Sequence, residues 1–222
     1  MRILIVGDEA HAEECKQKLG TGHSYKTVSD YTQLAKRFPE QDVIFDFIID
    51  EDPEEFALYA DQNCLVFLNT AKMNLAQFAF SVENDFACTM FGFNGLPTFF
   101  NRPVLEVSCL KKEDTMKLNG VMKNLGTDFL VVDDRVGLVT PRVICMIINE
   151  AYYTVQEGTA TREDIDIAMK LGTNYPFGPF EWCKRIGIRH VYELLEAVYD
   201  DTKDERYKIC PLLKREYLFG MD

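Results

Sequence analysis

Basic residues are in short supply in this chain: 24 lysines and arginines stand against 36 acidic residues, for a net charge of −12 over 222 positions. No stretch gathers the Lys and Arg that a row of phosphates would need, so the sequence predicts no nucleic-acid partner. Histidine is scarcer still. His11, His23 and His190 lie far apart without ligand spacing, and no metal site is expected. The seven cysteines (Cys15, Cys64, Cys88, Cys109, Cys145, Cys183 and Cys210) occur singly, with no Cys-x-x-Cys. They read as reduced, mostly buried thiols rather than as a disulfide framework. No apolar run approaches the ~18 residues of a membrane span. At the start of the chain Arg2 leads into only four apolar residues before Gly7-Asp8-Glu9, too few for a secretory signal. The expectation is a cytoplasmic protein without a membrane partner, its acidic surface serving solubility.

What is present is a regular alternation. Arg2–Val6, Tyr25–Val28, Asp42–Ile49, Cys64–Leu68, Cys88–Phe93, Val104–Cys109 and Phe129–Val132 are short, nearly continuous apolar runs that read as strands. Between them lie helix candidates at 11–19, 31–38, 75–82 and 113–125, and a further helix announced by Asp52-Pro53, a cap residue followed by proline in the first turn. Strands of this composition alternating with helices predict an α/β fold, a parallel doubly wound sheet covered on both faces. After Asp133-Asp134 the pattern becomes purely helical, which sets expected domains of 1–134 and 135–222. In the second, Val139, Val143 and Ile147 share one helix face while Ile144, Ile148, Ala151 and Val155 fill another, so this helix is expected to be buried on several sides. Gly158 ends it. Thr161-Arg162-Glu163-Asp164 caps the next, which Gly172 closes, and Gly178-Pro179 opens a third.

The helical half carries a long motif set: Gly137 and Arg142 at a helix start, Asn149-Glu150-Ala151, then Glu157 to Gly172 and Tyr175 to Glu181. These segments resemble the C-terminal domain of the 3-hydroxyacyl-CoA dehydrogenase family. The N-terminal half resembles that family's NAD-binding domain more faintly and in register. Asp42–Asp50 is similar to its third core strand, Asn69-Thr70 to the turn after the fourth, and Phe93-Asn94 and Val104–Val107 to the two strands that carry its catalytic His and Glu. The region between is shorter than in the family. The resemblance implies a truncated Rossmann-like domain followed by an all-α dimerisation domain, NAD as cofactor, an acyl-CoA ligand and a homodimer through 135–222. By the same resemblance Gly7, Asp30 and Asn69 are the candidate cofactor-binding residues, and Glu106 is the surviving catalytic candidate.

The residues themselves speak against the family's chemistry. A dinucleotide fingerprint needs glycines where backbone must approach a pyrophosphate. The six positions here read Gly7-Asp8-Glu9-Ala10-His11-Ala12. Glu9 is expected to bring a negative charge to the phosphate position, with Asp8 and Glu9 together satisfying the helix N-terminus. Ala12 is a milder change. Asp30 stands roughly twenty residues on, where a ribose-binding acid belongs, though a helix cap before Tyr31 explains it equally. The catalytic His position aligns with Phe91, with three extra residues between it and Glu106. The two serines of the family turn read Ala71-Lys72, the asparagine before Arg142 reads Pro141, and Phe47 places a ring near the nicotinamide position. The aromatic run 93–103 either fills the vacated site or lines a new pocket. Three functions follow as expectations: a non-catalytic member of the family first, then an active NAD-dependent oxidoreductase with relocated groups, then an interaction or regulatory module pairing through the helical half.

Overall fold

Side chains of opposite parity along each central strand feed two separate cores, as the pleat requires. In a computed structural model that describes residues 1–37 and 40–220, the strands are β1 (Arg2–Val6), β2 (Ser24–Val28), β3 (Val43–Asp46), β4 (Leu65–Asn69), β5 (Thr89–Phe93), β6 (Val104–Cys109) and β7 (Asp128–Val132). They form one sheet in the order β2-β1-β3-β4-β5-β6-β7. Ile3, Ile5, Phe45, Phe67, Phe91 and Phe93 face helices α1 (Glu9–Leu19) and α4 (Thr115–Leu125), through Ala12, Leu19, Leu118 and Met122. Leu4, Val6, Ile44, Val66 and Leu68 face the other way. There they meet Phe56 and Tyr59, around α2 (Ala57–Ala60), and Leu75 and Phe78 of α3 (Leu75–Ser81). Each large side chain so buried contributes roughly 1.5–3 kcal/mol.

The sheet is not all parallel. β1 pairs in parallel with β2 and β3, β3 with β4, and β4 with β5, but β5 and β6 are antiparallel, with Phe91 opposite Cys109 and Phe93 opposite Val107. The reason is the connection. Residues 94–103 contain no helix, and a segment that short returns the chain to the same end of the sheet, whereas a parallel crossover needs a dozen or more residues. β6 to β7 is parallel again because α4 makes the crossover.

Several helices depart from the sequence reading. Tyr31–Lys36 is a 3₁₀ turn, and Phe38, the end expected for it, lies outside the described residues. Asp52 precedes a 3₁₀ turn at Pro53–Phe56 but caps it with no side-chain bond. Gly172 does not end its helix, which runs on to Thr173 and closes at Asn174 in the left-handed conformation.

The chain divides into two compact units, Met1–Leu138 and Val139–Asp222. The second comprises α5 (Thr140–Gln156), α6 (Arg162–Thr173), α7 (Pro179–Ile186), α8 (Ile188–Thr202) and α9 (Pro211–Leu218). α5 buries Ile144, Cys145, Ile148 and Ala151 but leaves Val139 and Val143 about half exposed, at 51% and 49%, so the apolar face through those two is not the buried one expected. The motif residues hold this unit together. Asn149 donates to the Lys208 carbonyl at 2.9 Å and accepts from the Cys210 amide at 2.8 Å, pinning the segment before α9. The Asp166 carboxylate accepts from the Phe180 and Glu181 amides at 2.8 and 3.2 Å, so it caps α7 from a neighbouring helix. A Cβ on Gly178 would collide with that carboxyl group, which is why glycine stands there. Glu181 bonds back to the Gly178 amide at 3.0 Å and pairs with Lys170 at 2.5 Å. Arg162 pairs with the buried Glu216, its guanidinium over the rings of Tyr152 and Phe180.

Asn149→Ala leaves the two backbone groups it served without that partner, and a loss of about 1–3 kcal/mol is expected in urea unfolding. A second expectation concerns pH. Asp46 is fully buried, and burial pushes its carboxyl up to about 7 despite donors from Tyr59, Ile48 and Tyr31 at 2.6, 3.1 and 3.1 Å. Burial likewise pushes Asp50 up to about 6, against the pull of Lys72. A carboxyl raised on folding stabilises the protein fully below its unfolded value and loses that contribution as pH rises through the folded one. The melting temperature should therefore fall from pH 5 to pH 8, and Asp46→Asn should flatten that fall.

Candidate functional site

In an open doubly wound sheet, ligands bind at the carboxyl ends of the strands where the strand order reverses. Here that point lies between β1 and β3, because β2 and β3 flank β1 on opposite sides. The turn after β1 begins at Gly7, whose φ of +155° suits glycine. A Cβ there would also come within 2.9 Å of the His11 Nδ1 atom and 3.2 Å of the ring carbon Cγ, so the imidazole lies against the bare backbone.

Asp8 caps α1. Its carboxylate accepts from the His11 amide at 3.0 Å, and the His11 Nδ1 atom accepts from the Asp8 amide at 3.2 Å, a reciprocal capping box with an imidazole in the usual place of Glu or Gln. Burial pushes the Asp8 carboxyl up, but the bonds from His11 and Ala10 outweigh it and hold the group below its ordinary value. Glu9 has a different place from the one expected of it. It is exposed in the first turn and pairs with Lys16 at 3.5 Å. Asp8, not Glu9, satisfies the helix end. Ala12 is fully buried against the sheet.

Beyond His11 the crevice wall is aromatic. The Phe47 ring lies 4.6 Å from that of His11, 5.0 Å from Phe93 and 5.2 Å from Phe100. Phe100 also sits 5.2 Å from Phe45 and 5.6 Å from Phe93 in edge-on contact, an arrangement that adds roughly 0.5–1.5 kcal/mol per pair beyond burial. Phe100 comes from the 94–103 segment, which is tied down along α1. The Asn101 amide donates to Glu14 at 3.1 Å, its side chain to Gln17 at 3.0 Å, and Lys18 donates to the carbonyls of Arg102 and Pro103. Leu96, Phe99 and Phe100 are all buried. The aromatic residues of this segment therefore pack into the interior of the first unit instead of facing solvent.

Asn69 and Asp30 are engaged locally. Asn69 is buried at the end of β4, donates to the Phe47 carbonyl at 3.0 Å and accepts from the amides of Gly95 and Ala71 at 2.9 and 3.3 Å. It ties the ends of β3 and β5 together through backbone. Asp30 caps the 3₁₀ turn after β2 by accepting from the Thr32 amide at 2.9 Å, and the Thr32 hydroxyl and amide hold its carboxyl low. Lys72, in the turn after β4, faces Asp50 at 3.4 Å, both nearly buried. The neighbouring Asp134 accepts from the Leu75 and Ala76 amides at 3.0 and 3.2 Å and so caps α3.

Phe91 and Glu106 are not brought together. Phe91 is fully buried against Phe67, 5.2 Å away, on the α1 face of the sheet. In β6, Leu105 and Val107 point to that same face, so Glu106 between them points to the other. Their antiparallel register accounts for it. With Phe93 opposite Val107, Glu106 falls three positions along from Phe91, and an odd offset reverses the face. Sequence reasoning missed the role of His11, which was legible as the third residue after a capping Asp. It flagged the aromatic run 93–103 but could not single out Phe100, because that ring's destination is set by the return of the chain between β5 and β6. Among the described residues no group of three or more His, Cys, Asp or Glu could hold a metal ion, and no helix is long and apolar enough to cross a membrane.

A family model for the 3-hydroxyacyl-CoA dehydrogenase C-terminal domain matches residues 137–220. The chain is 38% identical over 104 residues to a 3-hydroxyadipyl-CoA dehydrogenase of Escherichia coli, covering 47% of this chain and 22% of that protein. It is 33% identical over 122 residues to a probable 3-hydroxybutyryl-CoA dehydrogenase of Bacillus subtilis, covering 55% and 42%. The matched stretches thus span less than half of either relative. Among solved structures, (S)-3-hydroxybutyryl-CoA dehydrogenase of Ralstonia eutropha superposes with a TM-score of 0.73 at 19% identity, over 99% of this chain and 94% of that one, which establishes a shared Rossmann-like fold. Its helical C-terminal segment is thus similar to the C-terminal domain of the 3-hydroxyacyl-CoA dehydrogenase family.

Proposed function

We propose that this chain is a dehydrogenase-like protein that has given up the dehydrogenase reaction and keeps the family's scaffold as a homodimer. The observation that carries this reading is the filled crevice. The residues at the switch point do not fit a dinucleotide: the His11 ring covers the backbone of Gly7, the Asp8 carboxylate takes up the helix end that a pyrophosphate would use, and Phe47 and Phe100 fill the space beyond. Displacing those rings would expose apolar surface already buried in the core.

The catalytic side supports the same reading. No imidazole stands at the Phe91 position, and Glu106 lies on the other face of the sheet from it. Loss of a general base alone lowers a rate by about 10²–10⁴-fold. His11 is an imidazole in the crevice, but its Nδ1 atom is occupied with Asp8 and its ring with Phe47.

The homodimer rests on the helical unit. α6 carries Ile165, Ile167, Met169 and Leu171 yet buries none of its residues, and Leu171 and Phe219 are 83% and 70% exposed. Exposed apolar surface of this kind marks an interaction site, and the motif match over this unit makes a second copy the first choice of occupant.

Three measurements decide these points. In a thermal-shift experiment, NAD and NADH at millimolar concentration should leave the melting temperature unchanged, since only a ligand of the folded state raises it. Turnover of 3-hydroxybutyryl-CoA with NAD should stay at background. A cofactor-dependent rise in melting temperature together with turnover abolished by Glu106→Gln would replace this reading with that of an active enzyme. In sedimentation, the wild type should run as a dimer and Leu171→Asp as a folded monomer; a monomeric wild type removes the dimer.

A further inference from the structure

At the end of the sheet opposite the crevice, two of the free cysteines enter adjacent strands side by side. β4 and β5 run parallel with Leu65 opposite Thr89, and the Thr89 amide donates to the Cys64 carbonyl at 2.8 Å. One step back along that register Cys64 stands beside Cys88. Both side chains pack on the same hydrophobic cluster, so they leave the sheet on the same face. Neighbouring strands lie about 4.8 Å apart, inside the roughly 4.4–6.8 Å Cα separation that a disulfide bridges. Neither residue is currently bonded to another sulfur.

We propose that Cys64 and Cys88 form an oxidisable dithiol that closes into an intramolecular disulfide between β4 and β5, with a hydroperoxide as the oxidant. The step balances in two stages. The sulfur of one thiol attacks the terminal peroxide oxygen, breaking the O–O bond; the thiol becomes a sulfenic acid and the hydroperoxide leaves as an alcohol, or as water when the oxidant is hydrogen peroxide. The second sulfur then attacks the sulfenic sulfur, forming the S–S bond and releasing water. Two thiols are oxidised by two electrons and one peroxide bond is reduced.

The surroundings set how the pair responds. A cavity of about 180 Å³ opens on Cys88, beside Thr89 and Lys111, and is large enough to admit a small peroxide. Lys117 stands close by, donating to the Thr89 hydroxyl at 2.5 Å. Burial pushes the Cys64 thiol up to about 12, with Cys88 adding to the rise and Lys117 opposing it, and pushes Cys88 up to about 11. Both thiols are therefore protonated at neutral pH. Because the thiolate is the attacking form, the pair ignores brief exposure and closes under sustained oxidation. Once closed, the bond joins the chain on either side of a segment that contains α3 and the Lys72 turn, and holds the amino ends of β4 and β5 together.

A second pair of cysteines provides the internal control. Cys145 on α5 and Cys183 on α7 are also near one another, but Cys145 is wholly buried and both are fixed on helices rather than in strand register. The test is to expose the protein to excess hydrogen peroxide for hours, alkylate, digest without reductant and map crosslinks by mass spectrometry. The expected product is a Cys64–Cys88 peptide pair lacking two hydrogens, absent in both Cys64→Ser and Cys88→Ser. Its rate should rise about tenfold per pH unit between pH 7 and 9. Oxidised wild type should melt a few degrees higher than reduced, with the gain reversed by dithiothreitol. Sulfinic acid at either residue without a crosslink, or a crosslink that runs instead through Cys145 and Cys183, would overturn the proposal.

Discussion

A doubly wound sheet has to part its covering helices where the strand order reverses, and the strand ends exposed in that gap must be covered by something. In this protein the cover is the chain itself. His11 closes over Gly7, Phe47 lies against His11 in tilted contact, and Phe100 comes in from a separate segment to complete the wall. The rest of the first unit is arranged around that packing. Asn69 ties the ends of β3 and β5 to β4 directly beneath it, and α1 holds the 94–103 segment in place through Glu14, Gln17 and Lys18. Apolar rings packed edge to face make this wall of the crevice aromatic rather than polar.

Phe91 and Glu106 are separated by geometry as well as by chemistry. Phe91 carries no ionisable group, and Glu106 does not meet it across the sheet. The offset between them along the β5–β6 register is odd, and in a strand that sends the two side chains to opposite faces. Phe91 then has a free choice of apolar neighbours and packs into the core with Phe67. A single local feature, the segment between β5 and β6, sets the strand direction, supplies the Phe100 ring and fixes that offset.

In the helical unit the motif residues are architectural. Asn149, Asp166, Gly178 and Glu181 are spent on backbone amides, carbonyls and one another. Their job is to set helix ends against helix flanks, and that job is the same whether or not a reaction is catalysed next to them. The family signature is accordingly strong in the second unit, where helix packing alone asks for these residues.

The sequence alone determined the element order, the two-sided core and the helical signature, because strand alternation, capping residues and apolar periodicity are local in the chain. Asp30 and Thr161 as caps and Gly178-Pro179 as a helix start could be read from their neighbours. Only the tertiary structure decided three things: that β6 runs against β5, that Glu9 points to solvent while His11 takes the place over Gly7, and that Phe100 belongs to the crevice. Each depends on contacts between residues distant in sequence. A charge at a fingerprint position says what cannot be tolerated near a phosphate, but which side chain fills the space is settled by the shape of the walls around it.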